Sequence, residues 1–244
     1  MRPLLFVALL LLAPGLLSAE DDFLRGSVVK SDKWTLDRAK DLEIFDGDVS
    51  FNNPLYSLKA DNAVYRRKDQ AWDMRGNVYM LRRFTDGSQV QVDCHRAHYL
   101  EQQEAATLLR GQLPVRMKYT GPDGRVLRGR SDSAVAQNKK GLMTFDGSFS
   151  LSTDNLDMYS QKGLYDNSDA TFLMYDSTPL AVGTREGYDF AINAEEIKFF
   201  RDSRDIKFYN RVKGWVKDPG DGSAEKAAKR GARNEGPASG AQDI

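Results

Sequence analysis

The residues best suited to chemistry stand together in Asp93-Cys94-His95-Arg96-Ala97-His98, which holds both histidines and the single cysteine of the chain. Imidazole, thiolate and carboxylate are metal ligands, and on a helix His95 and His98 would share a face. In the strand phase derived below, Cys94 faces inward and His95 is its outward neighbour, so three ligands converge only through a severe bend. The reading is therefore no metal site, with Cys94 a small buried apolar residue. Hydrolysis would need a nucleophile beside a base, or two carboxylates in a cleft. With no histidine outside this strand, a Ser-His-Asp set is not expected. The carboxylates cluster in turns, Asp166 with Asp169 and Asp202 with Asp205, where solvated turn chemistry accounts for them. No catalytic residue and no cofactor are expected; an exported glycan-cleaving β-helix is the enzyme alternative.

The composition sets the next bounds. The 244 residues carry 35 Lys+Arg against 35 Asp+Glu, a net charge of zero that lacks the basic excess of a nucleic-acid binder. A mean hydropathy of -0.55 excludes a multispan membrane protein. Met1-Arg2, the apolar run Leu4 to Leu12, the breaker Pro14-Gly15 and the small pair Ser18-Ala19 have the layout of a secretory signal peptide, assigned to residues 1–19 with cleavage after Ala19. The apolar stretch is shorter than the ~20 residues of a spanning helix. One cysteine cannot cross-link its own chain, so in an oxidising compartment stability must come from packing. Residues 218–244 have no large apolar residue before Ile244 and read as a polar disordered tail, within which only Gly222 to Arg233 has a helical composition.

Between these ends one pattern recurs: large, large, small, a skip of three, small, aromatic. It runs Tyr56-x-Leu58-x-Ala60-x-x-Ala63-x-Tyr65, then Val90-x-Val92-x-Cys94-x-x-Ala97-x-Tyr99, and Leu156-x-Met158-x-Ser160-x-x-Gly163-x-Tyr165. Phe190-x-Ile192-x-Ala194-x-x-Ile197-x-Phe199 varies it; Leu127 to Ala136 is weaker and Val29 to Leu36 truncated. Return segments carry Gly47, Gly76 and Gly147, each 11 residues past its anchor, and Gly111, 12 past. Alternation is the period of a strand with one buried face, and the skip shifts its phase once, as a bulge or bend does. The expected fold is all-β, with about six strand-turn-strand units, about 12 main strands and an elongated stack open at both edges. Tyr56, Leu58, Val90, Val92, Leu156, Met158, Phe190 and Ile192 should line an inner face, with Val49, Phe51, Val78, Met80, Phe149 and Leu151 opposite. Such residues ordinarily make a core; a curved apolar sheet can also hold hydrocarbon.

The unit Leu58-Lys59-Ala60-Asp61 through Tyr65, a charged turn and Gly76-Asn77-Val78 resembles the repeated motif of the LptA/OstA family of periplasmic lipopolysaccharide-transport proteins. Asp132 and Glu195 recur in the slot of Asp61, His95 replaces the acid in the third unit, and Gly47-Asp48-Val49 repeats the glycine element. The resemblance implies an open β-jelly roll (a β-taco) over residues 20–217 in the periplasm, binding the acyl chains of lipid A. It makes Tyr56, Leu58, Val78, Met80, Val90, Val92, Phe149, Leu151, Leu156, Met158, Phe190 and Ile192 the lipid-facing set. The implied partners are the inner- and outer-membrane jelly-roll proteins of the transport system and further copies of the chain. Backbone pairing would occur at edges holding Val28 and Val29 at one end and Val212, Trp215 and Val216 at the other. The alternatives are the membrane-anchored partner of the same system and a structural or adhesive β-repeat protein with a filled, dry core.

Overall fold

The computed structural model describes residues 28–218. The expected signal peptide at 1–19, the stretch of helical composition at 222–233 and nearly all of the expected tail at 218–244 lie outside the described residues. Among them there is no α-helix and no helix long and apolar enough to cross a membrane; one 3-10 turn spans Asn138–Lys140. The alternating segments form β1 (Val28–Lys30), β2 (Lys33–Asp37), β3 (Leu42–Asn52), β4 (Tyr56–Arg66), β5 (Ala71–Arg83) and β6 (Gln89–Leu100). Then come β7 (Ala105–Leu109), β8 (Val115–Thr120), β9 (Val126–Ser131), β10 (Ser133–Gln137), β11 (Leu142–Ser152) and β12 (Leu156–Asp166). The last six are β13 (Thr171–Tyr175), β14 (Leu180–Arg185), β15 (Tyr188–Asn193), β16 (Glu196–Phe200), β17 (Ile206–Tyr209) and β18 (Lys213–Lys217).

All pairings are antiparallel and resolve into two arms that share six bent strands. The first arm runs β2-β3-β4-β5-β6-β7-β10-β11-β12-β13-β16-β17. The second runs β1-β3-β4-β5-β6-β8-β9-β11-β12-β14-β15-β18. Each arm therefore has twelve rungs, the number expected from six two-strand units. The difference from expectation is that half the rungs are broken into two short strands at the bend, which raises the strand total to 18. At ~4.8 Å per rung the stack is roughly 50 Å tall.

The bend is made by a repeated local chemistry. Register shifts fall between Asp46 and Val49, Lys59 and Asn62, Arg75 and Val78, and Asp146 and Phe149, where the skip of three or the glycine stands. Gly76 has φ +70 and Asn77 φ +45, a left-handed pair that turns the strand across the crease. A Cβ on Gly76 would lie 2.1 Å from Asp61 Oδ2, so the acid occupies the space that glycine leaves. The Asn77 amide donates to both Asp61 oxygens, at 3.0 and 3.2 Å. Gly47 meets Asp32, Gly111 meets His95 and Gly147 meets Asp132 in the same way. The residues after the small slot and the glycines of the next rung are thus one spatial feature, stacked along the crease.

Candidate functional site

Phase reversal at the bend puts apolar side chains of both arms between them. In the second arm one row of Cα partners runs Val29, Phe51, Leu58, Met80, Val92, Met117, Gly129, Leu151, Met158, Ala181, Ile192, Gly214, one residue per rung. In the first arm a row runs Trp34, Phe45, Ala63, Met74, Ala97, Leu108, Ala134, Phe145, Gly163, Met174, Ile197, Phe208. From its second rung, Phe45, to its tenth, Met174, this row alternates large and small. The small slots receive side chains from elsewhere: the Phe149 ring of the second arm lies where a Cβ on Gly163 would fall, 2.3 Å from its nearest atom.

The two walls touch. Phe51 of the second arm packs edge-on against Phe45 and Trp72 of the first, with centroids 5.5 Å apart in both cases, and Phe149 stacks on Phe145 at 4.5 Å. Leu108, Leu127, Leu151, Met158, Met174 and Ile197 are fully buried. The interior is a continuous apolar layer filled by its own side chains in this conformation. Among the described residues it is uncovered at the ends. On the first rung Trp34 is 59% and Leu36 52% exposed, although both face inward; on the last, Val216 is 66% exposed, beside half-buried Phe208 and Ile206.

Opposite the crease, strand ends and turns of the two arms meet at a mouth held by polar groups. Arg201, in the turn after β16, is buried; it donates to the Tyr165 hydroxyl at 2.8 Å and to Asp202 at 2.7 Å, and its guanidinium lies 5.1 Å from the ring centre of Tyr119 on the second arm. Burial alone would lower the Arg201 pKa, but Asp202 and the two tyrosines hold it above the ordinary value. Arg204 reaches the Val126 carbonyl on the second arm, at 3.5 Å. Nearer the first rung, buried Glu101 accepts from the Tyr65 hydroxyl at 3.2 Å and the Trp72 indole at 3.0 Å. Burial and then the Glu101 charge push the Tyr65 pKa upward.

No protein-family model matches this sequence, and no curated protein matches it. Among solved structures it is similar to LptH of Pseudomonas aeruginosa, described as the LptA-homologous periplasmic component of the conserved lipopolysaccharide transport device. The identity is 10% and the TM-score 0.33, over 78% of this chain and 94% of that one.

The twelve inner-face residues named from sequence all lie on the second arm. Ten are buried, while Phe190 and Ile192, near the open last rung, are half-buried. The expected opposition of Val49, Phe51, Val78, Met80, Phe149 and Leu151 to the others is corrected: they are cross-strand neighbours on the same wall, Phe51 beside Leu58 and Met80 beside Val92. The physical reason is that successive strands of an antiparallel sheet stand side by side, and only the far half of each bent strand forms the other wall. Of that other wall, Tyr99 and Tyr165 stand in the sequence pattern as anchor ends, whereas Phe45, Trp72, Phe145 and Phe172 lie outside it. Val115-x-Met117-x-Tyr119 on β8 was missed although it alternates, because Arg110 to Pro114 interrupts the return strand.

Of the end residues, Val28 and Val29 lie on β1 and Trp215 and Val216 on β18, all exposed, whereas Val212 precedes β18 and belongs to no strand. Trp215 pairs with Ala191 on the outer face and Val216 with Phe190 on the inner one. Cys94 faces inward, with its thiol pushed up to about 12 by burial and then by Asp93. His95 packs against Gly111 at the crease, and His98 turns to Asp73 at 2.8 Å.

Proposed function

We propose that the protein is a periplasmic lipopolysaccharide-binding and transport protein, in which residues 1–19 direct export, residues 20–217 form the carrying jelly roll and residues 218–244 form a polar tail. The observation that carries the reading is the apolar layer that passes through all twelve rungs and that no described residue covers at either end. A protein that needed only a core would cover those ends; a carrier that hands hydrocarbon along its length needs them free to meet a partner. Tyr56, Leu58, Val78, Met80, Val90, Val92, Phe149, Leu151, Leu156, Met158, Phe190 and Ile192 are proposed to contact acyl chains. Partners of the same architecture, at the inner and outer membranes or further copies, would extend the sheet at β1 and β2 or at β17 and β18.

Photo-crosslinking tests it. A photoreactive residue at Leu58, Val92, Met158 or Ile192 should capture lipopolysaccharide, while the outward neighbours Lys59 and Asp157 should not; equal labelling of both sets would sink the conduit. One observation favours a second reading, a structural β-repeat protein: the interior is filled by side chains such as Phe145 and Phe149. That reading requires gently purified protein to be free of lipid A by mass spectrometry.

A further inference from the structure

A net charge of zero conceals one strongly basic element. From Val115 to Ser131 the β8–β9 hairpin carries Arg116, Lys118, Arg125, Arg128 and Arg130 against a single acid, Asp123. Arg116 is directly opposite Arg130, and Lys118 directly opposite Arg128. All four point outward and are exposed. Like charges in direct cross-strand register destabilise an antiparallel pair. Little offsets this here: Arg116 lies 4.0 Å from Asp93, and Lys118, Arg128 and Arg130 form no ion pair with a described residue. On the next rung the facing residues are Ser150 and Ser152, which are neutral. The fold itself makes no use of this charge.

The opposite face of the same hairpin is apolar, with Val115, Met117, Tyr119 and Leu127 buried in the interior. Its turn lies on the lip of the mouth, where Arg204 crosses from the first arm to the Val126 carbonyl. Burial and then the Arg125 charge lower the Arg204 pKa, against the opposing charges of Asp123 and Asp154. One two-stranded element therefore offers a hydrocarbon face and a cationic face that join at an edge. An amphiphile with its chains between the arms would leave the mouth beside Lys118 and Arg128, the outward pair nearer the turn. Guanidinium groups match phosphate oxygens in geometry as well as charge.

We propose that the outer face of the β8–β9 hairpin binds the phosphates of a lipid head group, so that cargo is held by its tails inside and by its anionic end over the lip. This rests on the hydrocarbon-binding reading above. The test uses the full chain with two probes, hexa-acyl lipid A carrying both phosphates and the same lipid dephosphorylated. The unmodified protein should prefer the phosphorylated probe by about tenfold or more, with a preference that falls as salt rises. The Lys118→Gln/Arg128→Gln pair should lose the preference, bind the dephosphorylated probe as before and melt no lower, since it removes a like-charge contact. The charge-preserving Lys118→Arg/Arg128→Lys pair should keep the preference.

Retention of the preference in the Gln pair overturns the site. So does an unmodified protein with no preference, which leaves the hydrocarbon reading standing; binding of neither probe removes both. Hairpin-dependent binding to phosphatidylglycerol vesicles as tight as to lipid A would make this a bilayer-docking face instead. Equally tight binding of inorganic pyrophosphate would make it a free-phosphate site.

Discussion

Gly76, Asp61 and Asn77 show how single residues set the crease. Alanine at Gly76 must adopt φ near +70 and place a methyl on the Asp61 carboxylate, so Gly76→Ala is expected to cost about 2–3 kcal/mol in urea unfolding. Asn77→Ala loses the amide contact to Asp61 and asparagine's tolerance of the left-handed φ of +45, and should cost about 1–2 kcal/mol. A Gly76→Ala variant as stable as the parent would remove the glycine–acid contact as a folding determinant. Cys94 supplies a pH dependence. Its buried thiol keeps its proton up to about 12, whereas an unfolded thiol loses it near pH ~8.5. The associated stability is complete below that lower value and declines as pH rises through the window above it. The melting temperature should therefore fall between pH ~8.5 and ~10 in the parent and fall less in Cys94→Ala; parallel slopes would show that the thiol contributes nothing. The crease was legible in the sequence because acid and glycine recur at fixed offsets. Asp32 escaped because the first unit is truncated, with Ser27 where the first large residue would stand, so its acid had no complete frame to be counted in.

At the scale of elements, β18 is the one to perturb. It pairs with β15 on one side and has no partner on the other among the described residues, and its side chains are exposed along its length. In an edge strand successive amides point alternately to the neighbour and to solvent. Of Trp215→Pro and Val216→Pro, one therefore removes a free donor and the other breaks the β15–β18 ladder. The first should keep the parent's circular dichroism and melting temperature while losing association with copies or partners in size exclusion and pull-down. If both variants associate as the parent does, edge pairing at this end is wrong. The alternation rule made every strand from β3 to β6 readable, but it could not say which halves faced each other. Pairing Phe51 across the interior from Leu58 assumed one strand per wall, whereas each long strand crosses the crease and contributes to both. The basic hairpin was hidden for a different reason: averaging charge over 244 residues cancels an excess confined to one element.

For the whole molecule, the filled interior and the proposed cargo together require motion. Phe145 stacked on Phe149, and Phe51 wedged against Phe45 and Trp72, leave hydrocarbon no place unless the arms part or these rings change rotamer. The crease is fixed by left-handed pairs and close glycine contacts, and side-chain contacts join the arms at the mouth through Arg201 over Tyr119 and Arg204 to Val126. Opening therefore belongs at the mouth, hinged on the crease. Bridging Arg204→Cys to Val126→Cys with a short bis-maleimide, in a Cys94→Ala background, fixes the mouth without altering either wall. The bridged protein should keep its circular dichroism, melt higher because its unfolded state is restrained, and fail to take up lipid A added after bridging. The same double variant left unbridged should load lipid as its Cys94→Ala parent does. Loading at an equal rate and extent after bridging would mean that hydrocarbon enters at the uncovered end rungs rather than through the mouth, and the opening of the arms would have to be abandoned.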